Sequence, residues 1–153
     1  MRIHNAESLE FILMVRELFM EYSASLGVNF CFQGFTEELA NLPGEYARPS
    51  GRLFVVLDEE RAAGCGALRR LDERTCEMKR LYLRPEYRGR GIGREITDAL
   101  MNAAREIGYV QMRLDTLPSL TTAIALYRAL GFREIPPYWA NPVPGVVFFE
   151  RDL

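Results

Sequence analysis

Histidine is nearly absent from this sequence: His4 is the only one in 153 residues. That nearly removes a Ser-His-Asp triad, a Cys-His pair and most catalytic zinc sites, all of which lean on imidazole. Cysteine is scarce as well. Cys31, Cys65 and Cys76 are widely spaced and form no CxxC pair, so reduced, mostly buried thiols are expected and no metal is implied. Long apolar runs are missing. The N-terminal apolar residues recur at helical spacing with Glu7, Glu10, Arg16 and Glu17 among them, which fits neither a signal peptide nor a membrane span. A cytoplasmic protein with no membrane partner is expected. An excess of positive charge is lacking too, since the net charge is -2, which argues against general nucleic-acid affinity. No repeat, low-complexity tract or interdomain linker interrupts residues 1–153. The 48% apolar and 26% charged content is that of an ordinary globule, and a single domain is expected.

What is present reads as alternating helices and strands. Leu9, Ile12, Leu13, Val15, Leu18, Phe19, Tyr22 and Leu26 mark a first helix, stopped by Gly27. A shorter helix is predicted over 36–42, ended by Pro43-Gly44, with a loop over 46–51. Strands at 53–57 and 62–71 flank the acidic turn Asp58-Glu59-Glu60, a hairpin signal, and a third strand runs over 75–83. Ile92, Ile96, Leu100, Ala103 and Ile107 define the buried face of a helix that stops at Gly108. A strand over 109–114 follows, then a helix opened by Pro118 with Ser119 as its N-cap. Strands at 132–135 and 146–151 close the chain around a proline-rich segment over 136–145, which serves either as a pocket wall or as a plain connection. The order strand, glycine-rich turn, helix, strand predicts an α/β arrangement whose strands about that helix run parallel.

The turn itself is the most informative stretch. Arg88-Gly89-Arg90-Gly91-Ile92-Gly93 lies between an apolar strand and an amphipathic helix. Its glycines let backbone N–H groups approach a ligand, the helix start adds free donors and a positive dipole end, and Arg88, Arg90 and Arg94 add full charges. A phosphate site is the reading. A Walker loop fails because Arg94-Glu95 stands where Lys-Ser/Thr is required. The dinucleotide fingerprint fails because Ile96 or Arg94 takes the third glycine position. The remaining pattern, Arg-x-x-Gly-x-Gly, has informative flanks. Met78 to Tyr87 precede it, and Ala123-Ile124-Ala125-Leu126-Tyr127-Arg128-Ala129-Leu130-Gly131-Phe132 follow in a late helix.

Together these segments resemble the GNAT superfamily of acetyl-CoA-dependent N-acetyltransferases. The resemblance is specific over 77–132 and looser elsewhere. It implies a central mixed, mostly antiparallel sheet with one parallel, splayed pair and helices on both faces. It also implies acetyl-CoA as co-substrate. Residues Arg88, Gly89, Arg90, Gly91, Ile92, Gly93 and Arg94 would hold its pyrophosphate, and the backbone of Leu81, Tyr82 and Leu83 would pair with pantetheine. Tyr127, which alone would read as a packed core tyrosine, becomes the general acid for the departing thiolate. One departure stands out: Leu120 occupies a position that is often Asn in this superfamily.

An alkylammonium must shed a proton before it can attack, at a cost of about 4.6 kcal/mol at pH 7. Glu77 and Asp115 are the two candidate bases, each equally readable as a structural partner of Lys79, Arg80 or Arg113. Direct attack by the primary amine of a small molecule or peptide is expected. A CoA-binding module without transfer activity is the alternative. The acceptor would meet the first helix, residues 30–51 and the proline-rich loop. A homodimer is compatible with the resemblance.

Overall fold

Side chains alternate across a strand, so one sheet can bury both of its faces. The computed structural model describes residues 1–27 and 34–153. Its elements are β1 (Arg2–Asn5), α1 (Leu9–Leu26), α2 (Phe35–Ala40), β2 (Arg52–Asp58), β3 (Arg61–Arg70), β4 (Thr75–Leu83), α3 (Ile92–Ile107), β5 (Gln111–Thr116), α4 (Thr121–Ala129), β6 (Arg133–Ile135) and β7 (Val147–Asp152). The strands form one sheet in the order β1-β2-β3-β4-β5-β7-β6. β4 and β5 pair in parallel, and the other neighbours pair antiparallel.

β2 shows how the sheet separates two cores. Leu53, Val55 and Leu57 pack on one face with Val15, Leu18 and Phe19 of α1. Phe54 and Val56 pack on the other with Ile96 and Leu100 of α3. Both helices present an apolar stripe at the expected spacing, but their ends are finished differently. In α1, Ser8 accepts the Phe11 N–H at 3.2 Å, and Gly27 turns the chain away at φ 62°. In α3, Gly91 stands at the N-cap with no side-chain cap at all.

Most expected elements are present with small shifts. β5 lies two residues later than predicted, at Gln111–Thr116. Ser119 is not a helix cap: α4 starts at Thr121, and Ser119 instead gives its carbonyl to the Thr121 N–H in a tight turn. β1 had no sequence signal, because its four residues include a single aliphatic side chain, Ile3. Cys65 and Cys76 are free and buried, and burial pushes the Cys76 thiol up to about 12. Cys31 and positions 30–33 of the segment expected to meet the acceptor lie outside the described residues. No described helix is long and apolar enough to cross a membrane.

One irregularity shapes the sheet. Cys65 pairs with Tyr82 and Ala67 with Lys79, so Arg80 and Leu81 together oppose Gly66 in a β-bulge. Arg80 adopts the left-handed conformation, φ 61°, which costs a residue with a Cβ about 1–2 kcal/mol. What holds it is a two-pronged bond from its Nε and Nη2 to Glu38 of α2, at 3.0 and 3.1 Å, with the guanidinium over the Phe35 ring. Arg80→Ala keeps the backbone strain and strands a half-buried carboxylate, and should lower stability by about 3 kcal/mol. Arg80→Gly removes the strain as well and should cost about 1 kcal/mol less than Arg80→Ala. Urea unfolding of the two variants checks the order.

Candidate active site

The parallel pair β4/β5 is joined only over Thr75↔Gln111, Cys76↔Met112 and Glu77↔Arg113. Beyond Glu77, β4 parts from β5 where the bulge at Arg80 lies, and among the described residues the β5-facing backbone edge of residues 78–83 has no ladder partner. The strands enclose a cleft with a cavity of about 50 Å³. Lys79, Arg80 and Leu81 line it from β4, Asp115 and Thr116 from β5, Tyr22 from α1, and Tyr127 from α4. Asn141 and Val143 close one side, so part of the proline-rich segment is a wall of this cleft.

β4 leads through a turn at Pro85–Tyr87 into the glycine-rich loop and α3. Gly89 and Gly91 sit at φ 77° and 80°, a left-handed conformation that side chains with a Cβ avoid. The N–H groups of Gly89, Arg90, Gly91, Ile92, Gly93 and Arg94 find no backbone or side-chain acceptor among the described residues. Such a row of convergent donors at an uncapped helix start is a nest for an anion. The basic residues nearby divide into two groups. Arg80 is committed to Glu38, and Arg84 to Glu21 and to the carbonyl of Ala62. Arg88, Arg90 and Arg94 are exposed around the loop, with Arg88 donating to the Leu83 carbonyl at 3.0 Å across the Tyr82 ring and Arg90 lying over Tyr87. The pyrophosphate of a nucleotide fits these donors and charges.

The two candidate carboxylates sit differently. Glu77 is 1% exposed, and both of its oxygens are engaged: Arg69 donates to Oε1 at 2.9 Å and the Tyr138 hydroxyl to Oε2 at 2.5 Å. It lies in the paired part of β4, behind the cleft. Asp115 lies in the parted section and lines the cleft. Its Oδ2 accepts from Trp139 Nε1 at 2.7 Å and from Asn141 Nδ2 at 3.2 Å, which leaves Oδ1 without a donor among the described residues. Tyr138, Trp139 and Asn141 were not legible as site residues. They are where the loop over 136–146 fastens to β4 and β5.

Tyr127 is 6% exposed, packs against Phe132 and Phe149, and turns to the cleft. Burial pushes its hydroxyl well above the ordinary phenol value, so it stays protonated. Tyr22, on the opposite wall, is pushed up to about 12 by burial. Lys79 is shifted the other way: burial first, then the Arg80 charge, lowers its ammonium below the usual lysine range. Sequence reading placed Lys79 in a basic cluster and did not place it at the cleft, which it lines. Leu120 precedes the first turn of α4, so no amide stands there. Among the described residues no group of His, Cys, Asp and Glu is arranged to hold a metal ion.

The sequence profile of the Acetyltransferase (GNAT) family matches residues 13–132. An uncharacterised N-acetyltransferase of Schizosaccharomyces pombe is 38% identical over 138 residues, covering 89% of this chain and 85% of that protein. The crystal structure of an acetyltransferase from Streptococcus agalactiae superposes with a TM-score of 0.84 at 21% identity, over 99% of this chain and 98% of that one. The PaiA N-acetyltransferase of Thermoplasma acidophilum, crystallised in complex with coenzyme A, superposes with a TM-score of 0.76 at 16% identity over the whole of both chains.

The buried phenols give an alkaline signature. In Tyr22, Tyr46, Tyr127 and Tyr138, desolvation raises the folded value above 10.0, whereas the unfolded chain releases these protons near pH 10. Their contribution is therefore fully present below pH 10 and is lost as pH rises beyond it. Ultraviolet titration should show these four phenols un-ionised until the fold is lost, and urea midpoints should fall steadily above pH 10.

Proposed function

The chain belongs to the GNAT family of acetyltransferases, and on that premise we propose that residues 1–153 form one domain that moves the acetyl group of acetyl-CoA to a primary amine of a small molecule or peptide. The observation that carries this reading is the row of N–H groups from Gly89 to Arg94, which have no acceptor among the described residues, set at the end of a strand whose edge is open among those same residues. These two features are continuous. A molecule with a pyrophosphate at one end and an amide-bearing arm at the other would lie across both, and the coenzyme A of the Thermoplasma relative supports that class of ligand. Acetyl-CoA supplies an activated acetyl thioester and a thiol leaving group.

The residues around the cleft divide the remaining work. Gly89 to Arg94, with Arg88 and Arg90 beside them, hold the pyrophosphate. The backbone of Leu81, Tyr82 and Leu83 pairs with the pantetheine amides in place of the missing strand, and N–H groups there face the acyl oxygen as charge builds on it. Asp115 takes the proton that the acceptor's ammonium must lose, through its Oδ1. Glu77, held by Arg69 and Tyr138, acts through the fold instead. Tyr127 keeps a proton on its hydroxyl for the departing sulfur. Nitrogen gains the acetyl carbon, the carbon–sulfur bond breaks, and one proton in net is released to solvent.

Calorimetry with acetyl-CoA tests the reading directly. Wild type should bind it and Gly91→Asp should not, because a carboxylate would enter a nest built for anions at a left-handed position. Failure of wild type to bind acetyl-CoA would overturn the assignment. In turnover assays, Tyr127→Phe should lower kcat by roughly 10²–10⁴-fold with acetyl-CoA affinity unchanged. Asp115→Asn should lower kcat by roughly 10²–10⁴-fold with acetyl-CoA affinity unchanged, whereas Glu77→Gln should lower stability more than kcat.

A further inference from the structure

The arginines around the glycine-rich loop do not stand alike. Arg90 lies over the Tyr87 ring, within the turn that leads into the loop. Arg88 reaches back to the strand instead: its Nε donates to the Leu83 carbonyl at 3.0 Å, and its guanidinium lies 5.7 Å from the centre of the Tyr82 ring. The next residue shows which edge of β4 that carbonyl occupies. The Arg84 N–H donates to the Ala63 carbonyl of β3 at 2.9 Å. Across a planar trans peptide the C=O points opposite to the N–H, so the Leu83 carbonyl points away from β3. It lies on the edge that has no ladder partner among the described residues. Arg88 thus covers an acceptor that an incoming strand-like ligand would need.

We propose that Arg88 is a specificity-determining residue: it blocks the open β4 edge until a pyrophosphate draws its guanidinium away, so that thioesters carrying a pantetheine arm alone are rejected. This rests on the acetyltransferase reading and gives a second task to a residue placed there beside the pyrophosphate. Arg88 immediately precedes Gly89, where the row of N–H groups without an acceptor among the described residues begins. A turn of its side chain about a fixed backbone carries the guanidinium from the strand edge to the nest. That exchange is favourable only with an anion at hand. A guanidinium bonds a phosphate with charge assistance and through two N–H groups, which outweighs one bond to a neutral carbonyl. An uncharged arm offers Arg88 nothing in return, and displacing it only replaces one donor on Leu83 by another. With no anion in the nest, the Leu83 carbonyl and the Tyr82 ring together hold Arg88 across the edge. Arg88 is exposed, so its release disturbs no packed core.

Calorimetry with two probes tests this: acetyl-CoA, and S-acetylpantetheine, which lacks the pyrophosphate. Arg88→Ala should bind acetyl-CoA about tenfold more weakly than wild type and S-acetylpantetheine about fivefold more tightly. The opposite signs matter, because a residue that only supplied charge would leave S-acetylpantetheine unmoved, and one that only braced the strand would weaken both probes. Inorganic pyrophosphate at saturation should tighten S-acetylpantetheine binding to wild type about fivefold and leave Arg88→Ala unchanged. An S-acetylpantetheine affinity that is equal or lower in Arg88→Ala, or undetectable there, would overturn the proposal. So would an acetyl-CoA affinity that Arg88→Ala leaves intact, or the same response of both proteins to pyrophosphate. If wild type binds acetyl-CoA and these comparisons fail, the proposal falls and the acetyltransferase reading stands. If wild type does not bind acetyl-CoA, both fall.

Discussion

The bond between Arg80 and Glu38 is the constraint from which the rest of the site follows. The Arg80 backbone is strained in the left-handed conformation, and the bond of its guanidinium to Glu38 offsets that strain. With Arg80 clamped to α2, β4 carries two residues opposite Gly66 and bends after Glu77. That bend separates β4 from β5, and the separation produces both the open strand edge and the cleft. One polar contact between a strand and a six-residue helix thus braces the place where the sheet stops being a sheet.

Electrostatics then sorts groups that look alike in sequence. Six basic residues fall between Lys79 and Arg94, and the structure gives them three fates. Arg80 and Arg84 brace the fold through carboxylates on α2 and α1, Lys79 enters the cleft, and Arg88, Arg90 and Arg94 ring the loop. The carboxylates divide in the same manner. Glu77 and Asp115 differ little by residue type or position on a strand. Yet one lies where the strands are paired and is saturated by Arg69 and Tyr138, and the other lies where they have parted. Both ends of α1 are finished by its own chain, whereas α2, α3 and α4 all begin without a side-chain cap, and in α3 the uncapped start follows directly on the glycine-rich loop.

Local features were readable in the sequence because local chemistry sets them. The spacing from Ile92 to Ile107 fixed the buried face of α3, and Asp58-Glu59-Glu60 marked the β2–β3 hairpin correctly. The glycine-rich turn was legible because left-handed positions and free N–H groups leave a composition behind. Long-range geometry was not legible. Ser119 was a reasonable cap by residue type, but the chain spends it on a turn before α4. β1 escaped because an edge strand of Arg2, Ile3, His4 and Asn5 owes its existence to the backbone of β2. The roles of Lys79, Tyr138, Trp139 and Asn141 depend on a bulge and on loop closure, and neither shows in periodicity.

The strand order carries a consequence for how the molecule assembles. β6 pairs with β7, and β7 is what joins β6 to β5, although β6 precedes β7 along the chain. The three residues of β6 therefore find their template in residues 147–152, which follow them in the chain. The segment between them is pinned only when both strands are in place, since Trp139 and Asn141 reach Asp115 across that closed loop. Loop closure entropy delays such contacts relative to the β2–β3 hairpin and α3. The wall of the cleft is accordingly held by contacts far apart in sequence, whereas the glycine-rich loop sits between elements adjacent in the chain, so loosening β7 would open the wall and leave the loop in place.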